Sequence, residues 1–378
     1  MITRRKWVDR FRPRHLGPDR ATERFLDRVR RIGKISLRDY GILLAIAVLV
    51  IIVQAQNGSF LTQTNLLNIG DQWAAVGIMT AAMTLVLIGG GFDLSVGSTL
   101  AFAATLSATV SEKHQPGLAF LAALGLGIGV GLVNGLLVTK VNINPFIATL
   151  GTASMVRGFA LIYSNGGTFR ISSDFFSTIG RGKIGIVPVA FVIMLGVMVT
   201  LGLVLAFTVY GRRLYAIGGN DEASFLGGIR THRVRASTYV ISGACAALAG
   251  AIYAGRIGSG QGNLAPGIEL DVIAAALIGG ISIGGGEGAM WRAAAGVALL
   301  AILQNFFNQA NVGGFWQLVV KGAIIVAAVG IDSYSKRAHR RPVRAMLKDR
   351  SMRWGGRLRR RRGGTIRGQG ESRGRRRE

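Results

Sequence analysis

The chain has 378 residues, 50% of them apolar, with 55 glycines and a formal net charge of +27, and its mean hydropathy is positive. This composition excludes an ordinary soluble domain, and a single cysteine, Cys245, excludes a disulfide framework or a cysteine metal cluster. The charge would suit a nucleic-acid binder, but 31 of the 45 Lys and Arg lie in residues 1–38 and 336–378, with nothing aromatic among the arginines of 357–377, so no nucleic-acid partner is expected.

In chain order, residues 1–39 form a basic N-terminal arm in which Phe25, Val29 and Ile32 share one helical face, suited to lying along a lipid interface. The first apolar run begins at residue 40 with no small-residue cleavage site after it, so it reads as a retained span and not a removed signal. Apolar runs of about 20 residues, the length that crosses a bilayer, then recur at 40–56, 73–90, 95–111, 117–138, 146–164, 186–209, 236–256, 269–285, 289–308 and 315–334. The expected fold class is all-α: a polytopic integral membrane helical bundle of about ten transmembrane helices over 40–335, because a helix satisfies its backbone hydrogen bonds within each span. A membrane β-barrel would instead show alternating segments of about 10 residues. A basic tail, 336–378, follows and reads as disordered.

Ten crossings put both tails on one side, and Lys140 and the polar segment 211–235 fall on that side too. The opposite loops carry only Lys113, Arg170, Arg181 and Lys183. Positive charge marks the cytoplasmic face, so both termini and 211–235 are expected in the cytoplasm of a multi-pass cell-membrane protein. The basic tails then contact the anionic surface of the lipid bilayer.

Glycine is patterned. Gly127, Gly131 and Gly135 recur every four residues and let a second helix approach closely. LIGGGFDLSVGS (87–98) and LIGGISIGGGEG (277–288) each interrupt an apolar run, as segments lining a pathway or gate do. The largest external loop, 165–185, is long enough to dock something outside the cell.

Nothing resembles a hydrolytic or redox centre. The four histidines form no ligand-spaced pair, so no metal site is expected, and no G-x-x-x-x-G-K-[ST] loop exists to hold a nucleotide. The chain is therefore expected to be no enzyme and to bind no cofactor; uphill transport would draw on an ion gradient or another subunit. Ionisable groups near the spans are few: Asp93, Arg157, Glu269, Asp271, Arg292, Lys321 and Asp332. Arg157 either snorkels outward or meets Glu269 or Asp271. Asp93 either caps a helix starting at Leu94, taking amides near Ser95 and Val96, or acts in gating. Gln304, Asn305, Asn308, Gln309 and Asn311, with Phe306 and Phe307 among them, suit a neutral polyhydroxylated solute or simply mark the membrane boundary.

Within 211–235, Asn220 is a good N-cap and Asp221 and Glu222 occupy the first turn, where the helix dipole favours anions. Phe225, Leu226 and Ile229 make an apolar face, and Gly227 and Gly228 end the turn. So short a helix is unstable alone in water, and either packs back on the bundle or offers a surface to a partner.

At this point the residues match a known family. GGGFDLSVGS (89–98), NGLLVTKVNINPFIATLGT (134–152), GRRLYAIGGNDEASFLGGI (211–229), ELDVIAAALIGGISIGGGEG (269–288) and FWQLVVKGAIIVAAVGIDS (315–333) occur in order. The chain from about 40 to 337 resembles the permease subunits of bacterial ATP-binding-cassette importers for monosaccharides of the ribose/xylose/arabinose/galactose type. The resemblance implies that 211–229 docks on a cassette ATPase subunit that hydrolyses ATP, with Asn220, Asp221, Glu222, Ala223 and Gly228 at the coupling site. It also implies a permease homodimer and an extracytoplasmic sugar-binding protein. Asp93, Ser95, Asn134, Thr149, Gln304, Asn305 and Asn308 become candidate pathway or gate residues. The sequence departs from the family pattern at Phe92, Asn144 and Ile281, where isoleucine, proline and threonine are usual. A branched-chain amino acid or nucleoside importer of the same architecture, or an ion-coupled secondary carrier, stands as the alternative.

Overall fold

Apolar runs form helices here until a proline, a glycine or a short polar turn stops them. The computed structural model describes residues 37–56, 58–113, 115–324, 326–327 and 330. The N-terminal arm with Phe25, Val29 and Ile32, the tail 336–378 and Asp332 lie outside the described residues. The order is α1 (Leu37–Gln56), α2 (Gln63–Ile88), α3 (Val96–Lys113), α4 (Pro116–Thr139), α5 (Pro145–Ser164), β1 (Thr168–Arg170), α6 (Asp174–Arg181), β2 (Lys183–Ile184), β3 (Val187–Pro188) and α7 (Val189–Phe207). Then come α8 (Val209–Gly219), α9 (Asp221–Leu226), α10 (Thr231–Ile257), β4 (Ser259–Gln261), α11 (Ile268–Ile278) and α12 (Met290–Gln309). A last helix, α13, is described over 314–324.

Local chemistry sets these boundaries. Pro116 and Pro145 stand at the first position of α4 and α5, where a missing N–H costs nothing. Asn144 caps α5 by accepting from Phe146 N at 3.0 Å, so the residue that departs from the family pattern has a definite local task. Among the described residues six helices, α2, α4, α5, α7, α10 and α12, are long and apolar enough to cross a membrane. The described strands form two short antiparallel pairs, β1 with β4 and β2 with β3.

At the centre runs α2, whose residues from Trp73 to Ile88 are all buried, enclosed by α7, α10, α11 and α12. Lipid tails are as apolar as the helices, so close backbone packing holds such a bundle together. The glycine stripe of α4 shows this: a Cβ at Gly127 would run into the Gly243 carbonyl, and one at Gly131 into that of Tyr239, both on α10. Apolar side chains that no described helix covers, such as Leu44, Ile51, Ile147, Ile162 and Phe207, suit contact with hydrocarbon.

Several boundaries differ from the sequence expectation, among them the start of α10 at Thr231 where residue 236 is expected. The helix expected at 73–90 begins ten residues earlier, at Gln63, because Asn65, Asn68 and Asp71 lower the local hydropathy without breaking the helix. The run 269–285 is helical only to Ile278, since Gly279 caps it and Gly280 takes φ +81°, a backbone region glycine adopts freely. The helix after Asp93 starts at Val96, not Leu94.

With its 27 residues, α10 is about 40 Å long at helical rise and separates two ends of the molecule. At its N-terminus lie α8 and α9, and at its C-terminus α6 and β4. There Gly180 and Gly255 let the backbones of α6 and α10 touch.

Candidate functional site

The two glycine-rich interruptions meet. Gly90, Gly285 and Gly286 adopt positive φ, and the amide of Gly286 donates to the carbonyl of Ile88 at 2.9 Å. Over this junction lies α8: Gly218 sits so close that a Cβ would clash with the Ile88 carbonyl and the Gly286 amide. Tyr215, also on α8, donates to the carbonyl of Gly288 at 2.7 Å. Burial pushes the Tyr215 phenol above its ordinary value, against an opposing effect of Arg292, so it stays protonated as a donor. Where the sequence suggested one gate-like segment in each half, the fold makes a single joined structure.

Beneath it, four residues named from sequence come together. Asp93, 1% exposed, accepts at Oδ1 from the Ser95 amide at 3.0 Å and the Ser95 hydroxyl at 2.6 Å. The Asn134 amide of α4 donates to Ser95 Oγ at 2.8 Å and reaches Asp93 Oδ1 at 3.5 Å. From α5, Thr149 Oγ1 accepts the Leu94 amide at 3.1 Å. The Asp93 contact is thus a turn closed on Ser95, ahead of the helix that begins at Val96, and not a cap on a helix starting at Leu94. All four side chains are buried and fix loop 89–95 to α4 and α5.

Towards the same end, Asn220 caps α9, accepting from Ala223 N at 2.9 Å. Glu222, Ala223 and Gly228 are exposed, and Gly228 has φ +83°. Phe225 and Leu226 are 60% and 79% exposed, whereas Ile229 packs against the core; the apolar face of the short helix points away from its own bundle. Arg235 joins this helix to the loop junction. Its guanidinium pairs with Asp221 at 3.2 Å and donates to the Gly89 carbonyl at 3.2 Å.

Gln304, Asn305 and Asn308 lie far from that cluster in the fold, on the C-terminal half of α12. Asn305 exchanges amide hydrogen bonds with Asn65 of α2, and Gln309 donates to Asn305 at 2.9 Å. Gln304 donates to Gln317 of α13, which also donates to the Val312 carbonyl at 2.7 Å. Arg157 donates to the carbonyls of Gly262 and Leu264, while Asp271 pairs with Lys321 at 3.1 Å. Among the described residues no group of three His, Cys, Asp or Glu could hold a metal ion.

Sequence reasoning missed Asn65, Tyr215, Arg235 and Gln317. Arg235 was visible only as one of five arginines, and its reach to Gly89 spans 146 positions. Asn65 lies ahead of the span expected at 73–90.

A family model described as "Branched-chain amino acid transport system / permease component" matches residues 65–329. The chain is 40% identical over 299 residues to the ribose import permease protein RbsC of Bacillus subtilis (strain 168), covering 78% of this chain and 93% of that protein. It is 38% identical over 309 residues to the L-arabinose transport system permease protein AraH of Escherichia coli (strain K12), covering 80% and 92%. To the galactose/methyl galactoside import permease protein MglC of Haemophilus influenzae it is 32% identical over 323 residues, covering 80% and 96%. No solved structure matches.

Proposed function

Because the chain belongs to the branched-chain amino acid transport system / permease component family, we propose that it is the membrane permease subunit of an ATP-driven importer for a monosaccharide, of the ribose, arabinose or galactose kind. The carrying observation is that relatives named for import of these sugars align over at least 92% of their own length. The protein resides in the cell membrane and crosses it several times, as its long apolar helices require.

In finer detail, α1, α2, α3, α4, α5, α7, α10, α11 with its glycine loop, α12 and α13 make ten crossings of one permease domain, 40–335. The basic arm 1–39 and tail 336–378 flank it, with both termini in the cytoplasm. The positive charge of the tails and of 211–235 supports this orientation. The chain binds no cofactor; ATP is hydrolysed by a cassette ATPase subunit. Asn220, Asp221, Glu222, Ala223 and Gly228 form the coupling site for that subunit, which the outward apolar face of α9 supports. A sugar-binding protein delivers cargo at the opposite end, and two permease copies enclose the route.

Closing of the ATPase pair moves α9, and Arg235 passes that motion to Gly89 and the joined glycine loops. Asp93, Ser95, Asn134 and Thr149 act as the gate's inner frame, and Gln304, Asn305 and Asn308 line the outer part of the path. Nucleotide shifts such an equilibrium only through unequal affinity for the two conformations.

The family description favours one other reading, an amino acid importer. One reconstitution separates the readings: the permease with its ATPase and binding protein in proteoliposomes, offered labelled ribose, arabinose, galactose and leucine. Sugar uptake that stops on ATP depletion and survives an ionophore is expected. Leucine uptake alone, or uptake abolished by the ionophore, overturns the proposal.

A further inference from the structure

We infer that the end of the bundle opposite α9 carries a monosaccharide-binding station within the permease itself, in a cavity between α2, α10, α11, α12 and α13. This rests on the importer-permease reading above and adds a site to it.

The cavity holds about 410 Å³ and is lined by, among others, Trp73, Tyr253, Arg256, Gln304, Gln317 and Lys321. That volume falls within the range of about 300–1,000 Å³ usual for small-molecule sites. Three of its walls come from helices that span the membrane, α2, α10 and α12. Amides and ions at such a position do not face hydrocarbon, so the cavity is a water-filled recess.

Its chemistry selects a neutral polyhydroxylated ligand. The charges are already matched: Arg256 pairs with Asp71 at 3.3 Å and Lys321 with Asp271 at 3.1 Å. An ionic ligand would have to break one of these pairs and leave a partly desolvated charge behind. The remaining polar groups are chiefly the amides of Gln72, Gln304, Asn308 and Gln317, each of which donates and accepts as a sugar hydroxyl does. Gln304 Oε1 is buried without a hydrogen-bond partner among the described residues, an acceptor that a ligand hydroxyl can fill. Trp73 and Tyr253 add aromatic rings of the kind on which the C–H face of a pyranose or furanose packs.

The test uses the full importer in proteoliposomes with Gln317→Cys in the permease and the wild type as control, labelling being read on the permease chain, whose one native thiol is Cys245. A water-soluble methanethiosulfonate reagent added outside should label the variant, and ribose, arabinose or galactose should slow labelling about fivefold at several times its Kd, with leucine inert. Independently, Gln304→Leu should raise the KM for uptake of the protecting sugar about tenfold, the equivalent of about 1.4 kcal/mol, and Gln304→Asn should recover part of it. Absence of labelling, labelling indifferent to every sugar in vesicles that do import one, or an unchanged KM overturns the station and leaves the permease reading standing. Vesicles that import none of the sugars overturn the permease reading itself, and protection by leucine alone overturns both.

Discussion

Ile88 and Gly286 are joined backbone to backbone, the Gly286 amide donating to the Ile88 carbonyl at 2.9 Å. Nearly two hundred residues apart in sequence, they tie the loop after α2 to the loop after α11, directly under α8. The junction depends on Gly218, where any side chain would strike both partners. Gly218→Val should therefore destabilise the protein by about 1–3 kcal/mol, the usual cost of overpacking, and abolish transport. Gly219→Ala, at a neighbour with nothing within 4 Å of an added Cβ, should leave both unchanged. Thermal unfolding in detergent, with uptake assayed in parallel, reads the contrast.

Arg235 supplies a second link across the same junction. It is 21% exposed at the side chain, against 45% for Asp221, so solvent screening leaves the ion pair itself worth only about 0–1 kcal/mol. Its value lies in geometry: one guanidinium holds α9 and the end of α2 at once. Arg235→Gln should cut uptake about tenfold per ATP hydrolysed, a coupling loss of about 1.4 kcal/mol, with little change in unfolding temperature. Asp221→Asn should do the same more weakly. Measuring ATPase and uptake on the same vesicles checks this, and an unchanged ratio means that coupling runs elsewhere.

How far the sequence reached depended on the range of each interaction. Asn220, Asp221 and Gly228 are legible because capping, dipole and helix-ending chemistry act within one turn, and the helix they predict is present. The glycine stripe of α4 was legible because it declares a close helix contact, though not that α10 fills it. Tyr215, Arg235 and Gln317 were not, because their partners are set by how distant helices pack. The early start of α2 has a different cause: Gln63, Asn65, Asn68, Asp71 and Gln72 lower the hydropathy of its first turns, and only the run from Trp73 onward is continuously apolar enough to be recognised. The meeting of Asp93, Ser95, Asn134 and Thr149 lies between these cases, each being recognisable alone while their contact was not.

That cluster makes a prediction of its own. Asn134→Leu keeps the branched shape but removes the donor to Ser95 and Asp93, leaving a buried carboxylate less well satisfied. Losing one partner of a buried polar pair costs about 1–3 kcal/mol. Thr149→Val removes the acceptor of the Leu94 amide and should fall in the same range. Ser154→Ala, on the exposed side of α5, should be silent. Unfolding temperatures of the three purified variants rank them, and silence at Asn134 would mean that the loop needs no side-chain anchor.

The last prediction concerns what covers α9. Phe225 and Leu226 expose 60% and 79% of their surface on a helix of six residues, too short to hold its shape by propensity alone. The helix persists because Asn220 caps it and Arg235 tethers it, so its apolar side chains are free to serve a contact. Replacing both with serine removes that apolar surface without touching the cap or the tether. Each buried apolar side chain contributes about 1.5–3 kcal/mol, so the double variant should lose the ATPase subunit on purification. Its membrane insertion and unfolding temperature should match the wild type, because neither side chain stabilises the free permease. Glu222→Ala should weaken the same association without altering the fold. Co-purification that survives the double substitution, at unchanged stability, would place the ATPase contact away from α9.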